Sequence, residues 1–355
     1  MAGSNVPEEV LAKIVAKMSS KPLAQFKSVS KHWNRVISDP SFMNTFRKHQ
    51  MTLLPIFPFH VRDPVDRSIV NLGCPFGDHF SEAIMFVGTF QGVVLVVLEE
   101  KDKDDLIILY NPFTGVFKTV PAPPANPRFI YRYPNPLYVY GFGYGTTPDD
   151  LKIVRFEVFN ETKDCQVFSL KNGSWSTLLD VIGDYIIIRG GGRGTFVNGF
   201  LYWIARRNER KLVVQLDIEN MVFSEIPLPS FIGDVRGLDT LDGCLCAFVT
   251  TDVSEYGLWA MKEHGSEKSW LKVCLLPSVL GDDNFVRPRP MCILDGGKIV
   301  VLSREDQLSI YDISSGSYDS HKVLDALEGV CPYITSTIEY LETLTSPSDM
   351  CISLI

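Results

Sequence analysis

The chain has 355 residues, 45% of them apolar and 21% charged, a composition that excludes wholesale disorder and suits about two domains. Its net charge of −8 is unevenly spread: residues 1–50 hold eight Lys and Arg against three acidic residues, and the remainder holds 26 against 39. So acidic a body argues against a nucleic-acid platform, and no run of about 18 apolar residues offers a membrane span.

The N-terminus lacks the basic-then-apolar layout of a secretory signal, and residue 2 is Ala rather than the Gly that myristoylation needs. An intracellular protein, cytoplasmic or nuclear, is therefore expected. In that compartment the eight cysteines read as free thiols packed as small hydrophobes. The one close pair, Cys244 and Cys246, falls on a single face of a strand, with no second pair or nearby His to complete a zinc set.

Residues 1–48 read as a helical head. Val6, Val10, Leu11, Ile14 and Met18 lie near one face at helical spacing. Pro7, Glu8 and Glu9 occupy the opening turn, where a proline forfeits no hydrogen bond and acidic groups suit the free amides. Ser19-Ser20-Lys21-Pro22 breaks this helix and starts a second carrying Leu23, Ala24 and Phe26. Ser30 begins a third with Trp33, Val36 and Ile37, which ends before Asp39-Pro40. So few residues bury little apolar surface among themselves, so the trio is expected to leave a hydrophobic face for a partner. Its basic residues are spread along all three helices, unlike those of a DNA-reading helix.

This segment resembles the F-box. Val6-Pro7, Val10-Leu11, Ile14, Lys21-Pro22-Leu23, Phe26, Val29-Ser30, Trp33, Ile37-Ser38-Asp39-Pro40 and Phe42 stand at the spacings of that motif. It departs in having Val6 for the usual Leu, and Met18-Ser19 for the usual Leu-Pro. The resemblance implies docking on a Skp-type adaptor and, through it, on a cullin-based ubiquitin ligase. Pro7, Leu11, Ile14, Leu23 and Phe26 match positions that face the adaptor in that family, and with Val10, Val29, Trp33 and Ile37 they make up the expected docking set.

Residues 49–82 read as a linker and first strands, and 83–350 as a mainly-β domain of short strands broken by Gly, Pro and Asn. A weak unit recurs in it: an apolar strand ending in an acidic or turn residue, a short turn, then an aromatic strand. Anchors at Tyr110, Phe168, Leu216, Trp259 and Tyr311 repeat roughly every 50 residues, the period of a kelch-like β-propeller. A β-sandwich is the architectural alternative. Further strands are expected at Tyr138–Gly145, Asp149–Phe156, Gly194–Ala205 and Leu241–Cys246. Asn198-Gly199 is the best hairpin-turn signal.

The body resembles the plant F-box-associated interaction domain. Asn111-Pro-x-Thr-Gly115, Gly141-Phe-Gly-Tyr144, Asp149-Asp-x-Lys-x-Val154, Val197-Asn-Gly-x-x-x-Trp203, Trp259-x-Met-Lys-Glu263 and Tyr340-Leu-Glu-Thr-Leu344 follow that family's order, with Tyr202 where His is usual. The resemblance implies a surface that holds a target protein for ubiquitination.

No catalytic, cofactor or metal set emerges. Gly190-Gly191-Gly192-Arg193-Gly194 lacks the Lys-Ser/Thr of a phosphate loop and reads as a flexible connection. The six His are isolated, and Glu99, Glu100, Asp102, Asp104 and Asp105 read as a solvated hairpin loop. A non-catalytic adaptor subunit without cofactor is therefore expected. Its candidate target surface is the Pro-rich stretch 121–136 with Arg128, Phe129, Tyr131 and Tyr133, joined by an arginine cluster that includes Arg193 and Arg206. A third candidate is Asn284–Pro290. The alternative function is a small-molecule or glycan-binding propeller with a regulatory helical head.

Overall fold

The computed structural model describes residue 10 and residues 29–38, 50–54, 59–62, 69–73, 83–99, 105–124, 138–157, 164–179, 181–188, 193–208, 210–226, 228–229, 233–250, 256–264, 269–277, 279–281, 284–286, 289–294, 296–302, 308–319, 337–343 and 345–350. The first two helices expected of the head lie outside them, apart from Val10 and Val29. The third is helix α1, Lys31–Ser38, bounded as its sequence signals require. Ser30 caps it: the Trp33 amide donates to Ser30 Oγ at 3.2 Å, satisfying one of the free N-terminal amides.

Among the described residues the rest is β-structure, in six sheets of four or five strands and one two-stranded sheet. The first blade holds β1 (Gln50–Leu54), β2 (Phe59–Arg62) and β3 (Ile69–Gly73), with the last strand among the described residues, β27 (Ile338–Leu341), as its innermost member. Blade two is β4 (Ala83–Phe90), β5 (Val93–Glu99), β6 (Leu106–Tyr110) and β7 (Phe117–Thr119). Blade three is β8 (Tyr138–Gly143), β9 (Lys152–Glu157), β10 (Cys165–Ser169) and β11 (Ser174–Leu178). Blade four holds β12 (Ile186–Ile187) and β13 (Thr195–Val197), both paired to β14 (Phe200–Arg207), then β15 (Arg210–Asp217) and β16 (Val222–Ile226). Blade five is β17 (Asp234–Leu241), β18 (Cys244–Thr250), β19 (Tyr256–Met261) and β20 (Trp270–Leu276). The hairpin β21 (Val279–Gly281) and β22 (Asn284–Val286) precedes blade six, which is β23 (Arg289–Leu294), β24 (Lys298–Leu302), β25 (Leu308–Asp312) and β26 (Ser317–Tyr318).

Neighbouring blades touch through their innermost strands, β27 to β4, β4 to β8, β8 to β13, β13 to β17 and β17 to β23. Thr337, just before β27, donates to Cys292 Sγ on β23 at 2.8 Å and joins the ends of the ring. The fold is a β-propeller, and the first and last strands of the body close one blade together through the antiparallel β1–β27 ladder.

A blade inside such a ring is covered on both faces, so its inner strands read as unbroken apolar text. Accordingly β5, Val-Val-Leu-Val-Val-Leu-Glu, is buried at every residue but the last. Outer strands meet solvent and alternate, as β7, β11 and β16 do. The core is a circle of clusters between blades. Tyr140 and Phe142 pack with Leu95 and Leu109 between blades two and three, and Phe156 and Trp203 meet edge-on, with centroids 4.9 Å apart, between three and four.

The five sequence anchors all stand on the third strand of a blade, and four of them are followed by a turn of four to six residues. In three of them a side chain at the strand end closes that turn: Asn111 Oδ1, Asp217 Oδ1 and Asp312 Oδ1 each accept the amides two and three residues on. The Asn198-Gly199 hairpin forms as expected, with φ of 47° and 89°. Three readings need correction. Leu241–Cys246 is no single strand, because Asp242 and Gly243 form the turn between β17 and β18. Asp105 is no solvated loop residue, because the buried Tyr140 hydroxyl donates to it at 2.7 Å. Gly194 belongs to no flexible connection: its amide donates to the Tyr140 carbonyl at 2.6 Å, and a Cβ there would stand 2.6 Å from the Trp203 ring.

Candidate docking helix and channel mouth

Two places stand apart from the packed blades: the head and the propeller axis. In the head, Val10 is 44% and Val29 64% exposed, so two of the expected docking residues hold their apolar side chains in solvent. Trp33 is half-buried on α1, and Ile37 belongs to the same helix. Pro7, Leu11, Ile14, Leu23 and Phe26 lie outside the described residues.

Strand direction gives the propeller two unlike faces. Every innermost strand whose partner follows it runs the same way, towards one face of short connections (the tight-turn face), and third strands run with it. The turns on this face span two to eight residues. The opposite face receives the connections from second to third strands and from blade to blade, of up to nineteen residues. Strand β1 begins on the tight-turn face, so the head joins the propeller there.

Arg128, Phe129, Tyr131 and Tyr133 lie outside the described residues, within a connection that leaves β7 and re-enters β8 on the loop face. The start of that connection is held by blade three. Trp175 Nε1 donates to the Pro121 carbonyl at 2.7 Å and Gln166 Nε2 to the Pro124 carbonyl at 2.8 Å. Gln166 accepts in turn from Arg155 Nε at 2.8 Å, and the buried Arg155 guanidinium lies 4.2 Å over the Tyr138 ring. Arg155 and Gln166 stand in ordinary strand text, and no local sequence signal marks them. Arg206, half-buried near the end of β14, sits at the same loop face.

Arg193 does not join them. It lies on the axis, its side chain 13% exposed. Arg193 Nη1 donates to the Thr337 carbonyl at 3.0 Å and the Phe86 carbonyl at 3.4 Å, and Nη2 stands 3.9 Å from Asp239 Oδ2. A parallel bridge links its backbone to Tyr140. One side chain thus contacts blades one, two and five while its backbone meets blade three. Asp239 accepts the Ile293 amide at 2.8 Å and the Thr240 amide at 2.8 Å. Burial pushes its carboxyl above the usual range, although Arg193 and those amides pull it down. Burial likewise raises the Cys292 thiol to about 12, as an inert structural cysteine requires.

Above Arg193, at the tight-turn end of the axis, opens a cavity of about 430 Å³. One wall is aromatic and comes from three consecutive blades. Phe90 meets Tyr144 edge-on at 5.5 Å between centroids, and Tyr144 meets Phe196 at 4.8 Å. The other wall carries Asp239, Thr240 and Glu339.

Comparison with known proteins matches both parts of the chain. Residues 4–45 fit the F-box domain, and residues 45–344 fit the F-box associated beta propeller domain. The chain is similar to the F-box/kelch-repeat protein At3g23880 of Arabidopsis thaliana, 26% identical over 98% of this chain and 97% of that one. It is also similar to the putative F-box protein At3g16210 of that plant, 30% identical over 64% of this chain and 61% of the relative. F-box protein CPR1 of the same organism is 24% identical, over 91% and 85% respectively. Among the described residues no helix is long and apolar enough to cross a membrane.

Proposed function

The chain belongs to the F-box-associated β-propeller family, and from that membership we propose that it is the substrate-recognition subunit of a Skp–cullin–F-box ubiquitin ligase. The head docks on a Skp-type adaptor by burying apolar side chains, with Pro7, Val10, Leu11, Ile14, Leu23, Phe26, Val29, Trp33 and Ile37 as the contact set. The propeller, whose fifty-residue hairpin unit is of kelch type, holds a target protein on its loop face. Arg206 and the stretch bearing Arg128, Phe129, Tyr131 and Tyr133 are the proposed contacts there. The chain performs no bond chemistry itself. Its contribution is proximity, a target held so that its lysines meet a ubiquitin-charged enzyme elsewhere in the complex.

The observation that carries this reading is the pairing of an F-box match at residues 4–45 with a propeller match at 45–344. Topology supports the division of labour, since the chain enters β1 from the head side at the end of the strands opposite the loop face. The two faces are separated by the length of a blade strand, roughly 17–27 Å for one of five to eight residues at about 3.3 Å per residue. Adaptor and target therefore need not compete for surface. Co-elution of the chain with a purified Skp-type adaptor as a one-to-one complex tests the reading. Separate elution of the folded chain would count against it.

A further inference from the structure

The cavity at the tight-turn end of the axis lies on the face where the head joins, away from the proposed target surface. We propose that it is a binding site for a neutral ring bearing adjacent hydroxyls, a sugar or a cyclitol. Three features point to that chemistry.

The first is the aromatic wall. Phe90, Tyr144 and Phe196 are each only half-buried, and their rings touch in sequence across blades two, three and four. An arc of partly exposed rings at a cavity mouth presents flat apolar faces, on which the C–H face of a saturated ring can lie.

The second is the floor. Arg193 makes both of its hydrogen bonds through Nη1, while Nε and Nη2 make none among the described residues. A guanidinium with hydrogen-bonding capacity left at Nε and Nη2 thus stands beside a carboxylate acceptor, Asp239, whose Oδ2 is 3.9 Å from Nη2. A donor and an acceptor side by side match two neighbouring hydroxyls, each of which can donate and accept.

The third is charge. Arg193 and Asp239 oppose each other, and Glu339 adds a further carboxylate to the lining. An anionic ligand would face two carboxylates for one guanidinium, and a cation would meet the buried Arg193. A neutral ligand disturbs neither balance.

The proposal is independent of the adaptor reading, and its test uses the full chain without any partner. Saturation-transfer NMR and calorimetry would be run with the methyl glycosides of glucose, galactose, mannose and N-acetylglucosamine, with myo-inositol, and with benzoate as an anionic probe. Saturable binding of at least one neutral ring is expected, the sugar and inositol arms separating the two sources. Tyr144→Ala should weaken it about tenfold, the effect of losing one stacking face. Asp239→Asn, which leaves Arg193 unopposed, should weaken the neutral ring and strengthen benzoate. Leu271→Ala, on the exposed outer strand of blade five, should change neither. The proposal is overturned if the folded wild type binds no neutral probe, if benzoate binds more tightly than every neutral ring, or if Tyr144→Ala, shown to be folded, binds unchanged.

Discussion

Asn111 Nδ2 donates to the Thr343 carbonyl at 2.9 Å, across 232 residues of chain. The same amide donates to the Thr345 carbonyl at 2.8 Å, while Oδ1 closes the turn after β6 by accepting the Phe113 and Thr114 amides. Thr343 completes the clasp by donating from Oγ1 to the Gln91 carbonyl. A fully buried side chain thus ties the end of the chain to blade two, just beyond the strand that closes blade one.

Asn111→Ala removes four hydrogen bonds and strands one buried and one part-buried carbonyl. At about 1 kcal/mol for each bond, with a further penalty for the orphaned acceptors, it should cost about 3–5 kcal/mol in urea unfolding. Asn111→Asp keeps the turn but sets a carboxylate against two carbonyl oxygens, and should be no milder. A loss below about 1 kcal/mol for Asn111→Ala would mean that the clasp is redundant.

Trp203 leaves no room beside two glycines. A Cβ at Gly194 would stand 2.6 Å from its ring, and one at Gly141 2.7 Å. Neither position has a left-handed φ, so the cost of alanine there is overpacking alone, about 1–3 kcal/mol each. The two substitutions press on the same ring and should be non-additive in a double-mutant cycle. Unchanged thermal midpoints for both would contradict the packing described.

The repeat was legible in the sequence because the third strands of blades two, three, four and six are buried at the anchor, so Tyr110, Phe168, Leu216 and Tyr311 sit in apolar runs that end at a turn-forming residue. The Asn198-Gly199 hairpin was legible for an equally local reason. Ring closure was not, since β27 lies almost 300 residues from β1 and only the fold pairs them. The site was read unevenly. Arg193 stands in a glycine- and arginine-rich stretch that suggests a surface, yet its contacts come from four blades. Asp239 and Arg155 carry charge inside strand text, where their partners Arg193 and Gln166 are set by packing alone.

Asp239 should make stability fall with rising pH. Burial raises its folded pKa, so the folded chain holds this proton more tightly than the unfolded chain does. The resulting stability is fully present below the unfolded carboxylate value of about 3.9 and is lost as pH rises through the folded value. Asp239→Asn cannot titrate. Between about pH 4 and neutrality the wild type should therefore lose stability relative to that variant in urea unfolding. A pH-independent difference between the two would contradict the assigned direction.

The central claim is that the head docks on a Skp-type adaptor, and a pull-down measures it directly. Wild type would be compared with a double variant, Leu11→Asp and Phe26→Asp, and with Val29→Asp, which alters a side chain already 64% exposed and so should leave folding intact. A carboxylate buried without a partner costs several kcal/mol, enough to abolish capture in the double variant and weaken it at least about tenfold in Val29→Asp. Capture of the adaptor by the wild type and its loss in the double variant, with circular dichroism of the β body unchanged, is the predicted result. Absence of capture by folded wild-type chain at micromolar concentration, or equal capture by all three proteins, would contradict it.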